Sequence, residues 1–176
     1  VPPTVSLVLA GSPAKRVVSE APNVSLRVVE GYAAHLADWL QRGEIDVAIL
    51  YGPVSNLQMQ TEELLIEDIC LVGSADSDLS PDKSVPFADV PALPLILPSR
   101  PNGLRVVADS AAAKAKMGLS VRFQADSFVL MKELVESGLG YSMMPYSAIA
   151  REAEAGRLRW APIVEPAVRR QLVLAT

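Results

Sequence analysis

Hydrophobic positions along the chain alternate between the spacing of strands and the spacing of helices. Residues 24–29 carry apolar side chains at every second position, which is the period of a strand, and Leu36, Trp39 and Leu40 follow at the i, i+3, i+4 spacing of a helix. Residues 45–50 are apolar almost throughout, as in a strand that is buried on both faces. This order of strand, helix and strand predicts parallel sheets connected by crossover helices.

The first part of the chain predicts one compact lobe of this kind. Thr4 is a candidate cap for the opening helix, which we expect to be kinked where Gly11 and Pro13 interrupt the helical pattern. Gly52 and Pro53 end the buried strand. The predicted elements of this lobe are a helix from 4 to about 20, a strand at 24–29, a helix at 33–42, a strand at 45–50 and a strand-like run at 62–72.

A change in composition separates this lobe from the second half of the chain. Residues 73–86 are rich in Ser, Asp, Pro and Gly, which favours a crossing between two lobes. We therefore predict an α/β fold with lobe I at 1–75 plus 165–176, lobe II at 76–164, and two crossing strands as the hinge. The predicted elements after the crossing are strands at 95–97, 119–123, 141–144, 157–164 and 170–175, and helices at 103–116, at 127–136 and from Pro145.

Composition narrows the classes of partner. The formal net charge of -4 and the lack of a Lys/Arg cluster indicate that any contact with DNA is made by another segment. No apolar run approaches the roughly 20 residues of a membrane span, so we expect no membrane contact. One cysteine and one histidine offer no metal-binding set, no cofactor motif is present, and the cytoplasm is the expected compartment.

Strings that resemble enzyme motifs lack their required context, so we predict no catalytic residue. Residues 12–15 match S-x-x-K without its companion motifs, and residues 138–143 begin like a dinucleotide fingerprint but follow a helix and enter a strand. No G-x-S-x-G presents a serine nucleophile. We interpret His35 as a surface or boundary residue, and Cys70 as a small buried hydrophobe.

Recognition of a small molecule is the function that remains after DNA contact, metal binding and catalysis are set aside. In open α/β sheets, ligands lie beyond the carboxyl ends of strands, where helix N-termini present free N–H groups. The polar candidates at such turns are Thr4, Ser99, Arg100, Gln124, Asp126 and Ser127. Helix capping is the alternative role for Thr4, Asp126 and Ser127, and a plain surface loop is the alternative for Ser99 and Arg100.

Four segments in order resemble the effector-binding domain of LysR-type transcriptional regulators. Residues 21–31 resemble the family's "yP-x-v-x-l-x-l-x-eG", residues 40–49 its "l-x-x-G-x-lD-lai", residues 64–72 its "pL-x-x-e-x-l-x-lv", and residues 134–145 its "lV-x-x-GlGi-x-llP". Each segment is weak alone, but together they cover nearly the whole chain. Residues 49–51 and 93–99 further resemble the nitrogen-assimilation control branch.

The resemblance implies two Rossmann-like lobes joined by two crossing strands, as in type 2 periplasmic binding proteins. It implies an interlobe cleft for an inducer such as an organic acid or amino acid, dimers or tetramers, and DNA contact through a winged helix-turn-helix that is absent from this chain. Carried over by position, it places effector contacts at Thr4 and Val5, at Ser99 and Arg100, and at residues 124–127. Two features depart from the family: its opening strand would lie before Val1, and Pro2-Pro3 replaces a more polar run.

We expect a ligand-sensing domain that catalyses nothing. A solute-binding protein of a transport system is the alternative with the same architecture, and it predicts a secretory or lipid-anchor signal upstream of Val1. An enzyme on this scaffold ranks third, since the sequence offers no convincing reactive residue.

Overall fold

In the described part of the chain, three helices precede the first strand, and strands and helices alternate regularly between residues 95 and 164. The structure is a computed structural model that describes residues 1–9, 11–52 and 59–176. The helices are α1 (Pro3–Leu9), α2 (Ser12–Glu20), α3 (Ala33–Gln41), α4 (Gly103–Lys114), α5 (Phe128–Glu136) and α6 (Tyr146–Glu154), with a 3-10 helix at Phe87–Ala92. The strands are β1 (Ala48–Gly52), β2 (Thr61–Ser74), β3 (Val85–Pro86), β4 (Leu95–Leu97), β5 (Val121–Gln124), β6 (Ser142–Pro145), β7 (Leu158–Val164) and β8 (Arg169–Ala175).

The chain divides into two compact units. Unit 1 comprises Val1–Leu65 and Gln171–Thr176, and unit 2 comprises Ile66–Arg170. Both changes of unit fall inside strands, β2 and β8, whereas we expected them near residues 75 and 165. Residues 73–86 therefore lie within unit 2, because the apolar part of β2 continues into that unit before the polar stretch begins.

In unit 1, α3 covers a pair of antiparallel strands. β1 pairs with β8 from Ala48 opposite Ala175 to Gly52 opposite Gln171. Leu36 of α3 is fully buried against this pair, together with Leu50 and Val173. The apolar stripe predicted on α3 thus forms the core of unit 1.

Unit 2 is built around a larger core and a mixed sheet. β2 pairs antiparallel with β6 and β7, while β3 pairs parallel with β7 and β4 pairs parallel with β5. The prediction of parallel sheets therefore holds only for part of unit 2, because periodicity identifies strands without fixing their direction. The three residues of β4 are fully buried, and they place the turns that follow β4 and β5 side by side.

Three predicted elements differ from the structure. The opening helix is two helices, α1 and α2, rather than one kinked helix. Residues 24–29 form no strand with any described residue and are mostly exposed, because a strand requires a neighbouring segment to accept its hydrogen bonds. The strand predicted from residue 45 begins at Ala48. Of the break predicted at Gly52 and Pro53, Pro53 lies outside the described residues.

Candidate functional site

Two of the candidate residues meet at the carboxyl ends of β4 and β5. Ser99 follows β4, and Asp126 follows β5. The backbone N–H of Ser99 donates to Asp126 Oδ1 at 2.8 Å, and the Ser99 hydroxyl donates to the same oxygen at 2.6 Å. Because β4 and β5 are parallel neighbours, their ends lie together, and this double hydrogen bond fixes the two turns to each other.

Two further candidates lie on the same segment as Asp126. Ser127 is the N-cap of α5, and its hydroxyl accepts a hydrogen bond from the Leu130 N–H at 3.4 Å. Its capping role is therefore present in the structure, as the alternative interpretation held. Gln124 ends β5 and is exposed, and its amide hydrogen-bonds to none of the residues that the structure describes. Its polar group is accessible to a ligand.

Arg100 is directed toward α4. Its Nε donates to Asp109 Oδ2 at 2.7 Å, while Nε of Arg105 donates to Asp109 Oδ1 at 3.0 Å. Arg105 is buried and also donates to the Pro98 carbonyl at 3.2 Å. Burial acts to raise the pKa of Asp109, but the hydrogen bonds from both arginines outweigh it and lower that pKa. Any ligand carboxylate at Arg100 must therefore compete with Asp109.

Arg105 was not among the residues predicted from the sequence, although its side chain reaches the turn after β4. Its only signal in the sequence is the i, i+4 spacing to Asp109, which is also typical of an ordinary surface ion pair. The structure shows instead a buried guanidinium that joins the end of β4 to α4.

Thr4 and Val5 belong to unit 1, whereas the other five candidates belong to unit 2. Both are buried on α1, and the Thr4 hydroxyl shares a hydrogen bond of 2.7 Å with the Tyr51 hydroxyl. Thr4 was expected to cap α1, but the helix begins at Pro3, since proline is favoured in the first turn. Tyr51, in β1 near its carboxyl end, was not selected as a site residue, because a lone tyrosine in an apolar strand is normally part of the core.

Other candidate chemistry is limited. The part of the chain that the structure describes holds no group of three or more His, Cys, Asp or Glu side chains placed to bind a metal ion. In the same part, none of the helices has the length and apolar character needed to cross a membrane. Burial raises the pKa of the Cys70 thiol to about 11, and His35 is exposed beside the Trp39 ring, with the ring centroids 6.1 Å apart.

A two-unit α/β domain with polar turns at the ends of its strands defines a class of ligand-binding module. The whole chain, residues 1–176, matches the LysR substrate binding domain family, and it belongs to that family. It is 30% identical over 137 residues to the HTH-type transcriptional regulator BbuR of Bordetella bronchiseptica, covering 78% of this chain and 42% of that protein. It is also 30% identical over 132 residues to the nitrogen assimilation regulatory protein nac of Klebsiella aerogenes, covering 74% of this chain and 42% of that protein.

The chain thus spans about 42% of the length of these two relatives. A probable hydrogen peroxide-inducible genes activator of Mycobacterium avium is 29% identical over 175 residues, so sequence identity does not single out the nitrogen-assimilation branch. These relatives are named as regulators, and their names do not favour the alternative of a solute-binding protein of a transport system.

Solved structures agree on the fold. A mutant of OxyR from Corynebacterium glutamicum superposes with a TM-score of 0.87 at 25% identity, over 99% of this chain and 55% of that one. The regulatory domain of CcmR from Synechocystis PCC6803, solved in complex with 2-PG, gives a TM-score of 0.88 at 15% identity, over 99% of this chain and 84% of that one. The predicted type 2 periplasmic-binding-protein-like fold and the LysR-type effector-binding domain are confirmed.

Proposed function

We propose that this domain senses a small organic acid or amino acid through Thr4, Val5, Ser99, Arg100, Gln124, Asp126 and Ser127. The observation that carries the proposal is the double hydrogen bond from Ser99 to Asp126, which holds polar groups of two strand-end turns beside the capped N-terminus of α5. Backbone and hydroxyl groups in this setting suit a small polar ligand. Membership of the LysR substrate-binding family supports the same assignment.

The proposed mechanism is a shift between conformations. Five of the proposed contacts belong to unit 2, and two belong to unit 1. A ligand that contacts both sets stabilises one conformation by as much as its differential affinity allows. Since the chain passes between the units within β2 and β8, these strands are the natural hinge.

The proposal extends to the full-length protein. In this proposal, the full-length protein has a winged helix-turn-helix before Val1 that contacts DNA. It assembles into dimers and tetramers, and it acts in the cytoplasm without membrane contact. Two relatives that are named as regulators, and of which the alignment with this chain covers only 42%, support this organisation. The domain itself performs no catalytic step.

Isothermal titration calorimetry against a panel of organic acids and amino acids tests the proposal. We expect one compound to bind, and we expect Ser127→Ala and Thr4→Ala to weaken it about tenfold, the effect of losing one hydrogen bond to a charged ligand. Ser110→Ala is the matched control, since Ser110 is exposed on α4. Thermal melts of each variant separate loss of binding from loss of folding. Absence of binding across the panel, or equal binding by all variants, contradicts the proposal.

A further inference from the structure

A pocket lies entirely within unit 2 and shares no residue with the proposed effector contacts. It is partly open to solvent and has a volume of about 270 Å³. It is lined by residues 79–81 of the loop before β3, by Ala153 of α6 and Gly156 just after that helix, and by residues 158–160 of β7. Its volume is slightly below the roughly 300 Å³ at which pockets for drug-sized ligands begin. The pocket is therefore suited to a molecule with a single ring.

One wall of the pocket is apolar and aromatic. Trp160 is half-buried, and its ring packs against Tyr146 with centroids 5.0 Å apart, which holds the indole in one orientation. Leu79 contributes further apolar surface, whereas Leu158, which also lines the pocket, is 2% exposed and belongs to the core of unit 2. A planar apolar ligand can bury its face against this wall.

The pocket has one charged lining residue, Arg159. Its Nε donates to the Ala75 carbonyl at 2.7 Å, which fixes the guanidinium against the loop. Within the described part of the chain, that carbonyl is the only hydrogen-bond acceptor of the Arg159 side chain, which is exposed, so its two terminal nitrogens remain available as donors. A fixed guanidinium with two available N–H groups suits a carboxylate.

The backbone carbonyls at the end of α6, near another part of the lining, do not need a cation as a hydrogen-bond partner. The last carbonyls of the helix accept hydrogen bonds from within the chain: Ala153 from Gly156, Arg151 from Ala155, and Glu152 from Arg157. The charged residues that adjoin lining residues in sequence but do not line the pocket are Asp78, Asp82, Glu152, Glu154 and Arg157. Selection of an anion therefore depends on direct contact with Arg159 rather than on the general field.

We propose that this pocket is a second ligand site that binds a small aromatic carboxylate. The ring lies against Trp160 and Leu79, and the carboxylate accepts hydrogen bonds from Arg159. This site is separate from the proposed effector contacts, and it does not depend on their being correct.

Tryptophan fluorescence tests the proposal directly, because the chain has only two tryptophans, Trp39 and Trp160. In Trp39→Phe, Trp160 alone reports, and the probes are benzoate, benzamide and benzamidine, which share one ring and differ in charge. We expect a saturable change in fluorescence with benzoate, and binding at least tenfold weaker for the other two. Should Trp39→Phe fold poorly by circular dichroism, the difference between the wild type and Trp160→Phe gives the same signal.

Variants then identify the residues responsible. Arg159→Gln should abolish the preference for benzoate, while Arg151→Gln, the same charge change at an exposed position on α6, should leave it intact. Ser127→Ala should also leave it intact, which separates this pocket from the proposed effector site. A flat titration with benzoate, tighter binding of benzamidine, or an unchanged preference in Arg159→Gln overturns the proposal.

Discussion

Gly140 allows the turn between α5 and β6 to pass directly against the strand entry at Pro94. An added Cβ at Gly140 would overlap the Pro94 carbonyl oxygen and would lie 3.3 Å from both the Pro94 carbonyl carbon and Ile96 Cγ1. That oxygen also accepts the N–H of Tyr141 at 2.9 Å. We expect Gly140→Ala to destabilise unit 2, because the methyl group must displace backbone rather than a flexible side chain.

The size of the effect depends on which groups must move. Pro94 leads directly into β4, whose residues are fully buried and held by the N–H of Leu95 to the Ser120 carbonyl at 2.8 Å and the N–H of Ile96 to the Tyr141 carbonyl at 2.7 Å. Overpacking a rigid core costs about 1–3 kcal/mol, and the restraint on β4 places this variant near the upper end. For a protein of this size the melting temperature should fall by about 6–12 °C.

Two other glycines serve as graded controls in a thermal melt followed by circular dichroism. Gly138 has φ +72 with open space around it, so Gly138→Ala should cost only the strain of a left-handed backbone, about 1 kcal/mol. Gly118 has open space, and its φ lies outside the left-handed range, so Gly118→Ala should be nearly neutral. If Gly140→Ala melted within about 2 °C of the wild type, close approach to Pro94 would not be what the turn requires.

Three further predictions concern side chains away from this turn. Since burial raises the pKa of the Cys70 thiol to about 11, iodoacetamide at about pH 8 should label the unfolded but not the native protein, as mass spectrometry would show. Glu152→Gln removes the negative charge that pairs with the nearly buried Lys132, whose Nζ lies 2.6 Å from the carboxylate and also donates to the Ala148 carbonyl. It should lower the free energy of unfolding in urea by about 2 kcal/mol, whereas Glu154→Gln, at an exposed position, should lower it little. The pKa of Asp109 is lowered from 3.8, so its contribution to stability is full above that value and is lost as pH falls through the folded-state pKa. The melting temperature of Asp109→Asn should therefore fall less than that of the wild type between about pH 5 and 3, and parallel curves would contradict the assignment.

The sequence predicts the positions of the strand-end turns better than their contacts. Ser99 and Asp126 were selected independently because each follows a short strand, and parallel pairing of β4 and β5 brings them together. Arg100 was selected for its charge, yet it donates to Asp109 nine residues away. Local pattern locates a turn, whereas the partner of a long side chain depends on packing that the pattern does not contain.

The boundaries of the two units are difficult to predict from composition. A polar stretch rich in Pro and Gly is the usual signal of a linker, and residues 73–86 fit that description. The chain crosses instead within β2 and β8, which continue as strands through each change of unit. Near the crossing, Arg170 is buried, and its Nε donates to Glu67 Oε2 at 2.5 Å. A change of unit within paired strands leaves no mark in composition, because its residues satisfy the same pattern as any other strand.

Residues 24–29 show what periodicity measures. Val24, Leu26 and Val28 alternate as in a strand, yet they are 58%, 48% and 62% exposed. Among the described residues, this run makes backbone hydrogen bonds to a distant segment only at its end, where the Val1 ammonium donates to the Val29 carbonyl at 2.7 Å and the N–H of Gly31 donates to the Val1 carbonyl at 3.1 Å. The alternation therefore records a capacity for pairing, and a strand forms only where a second segment satisfies its backbone groups.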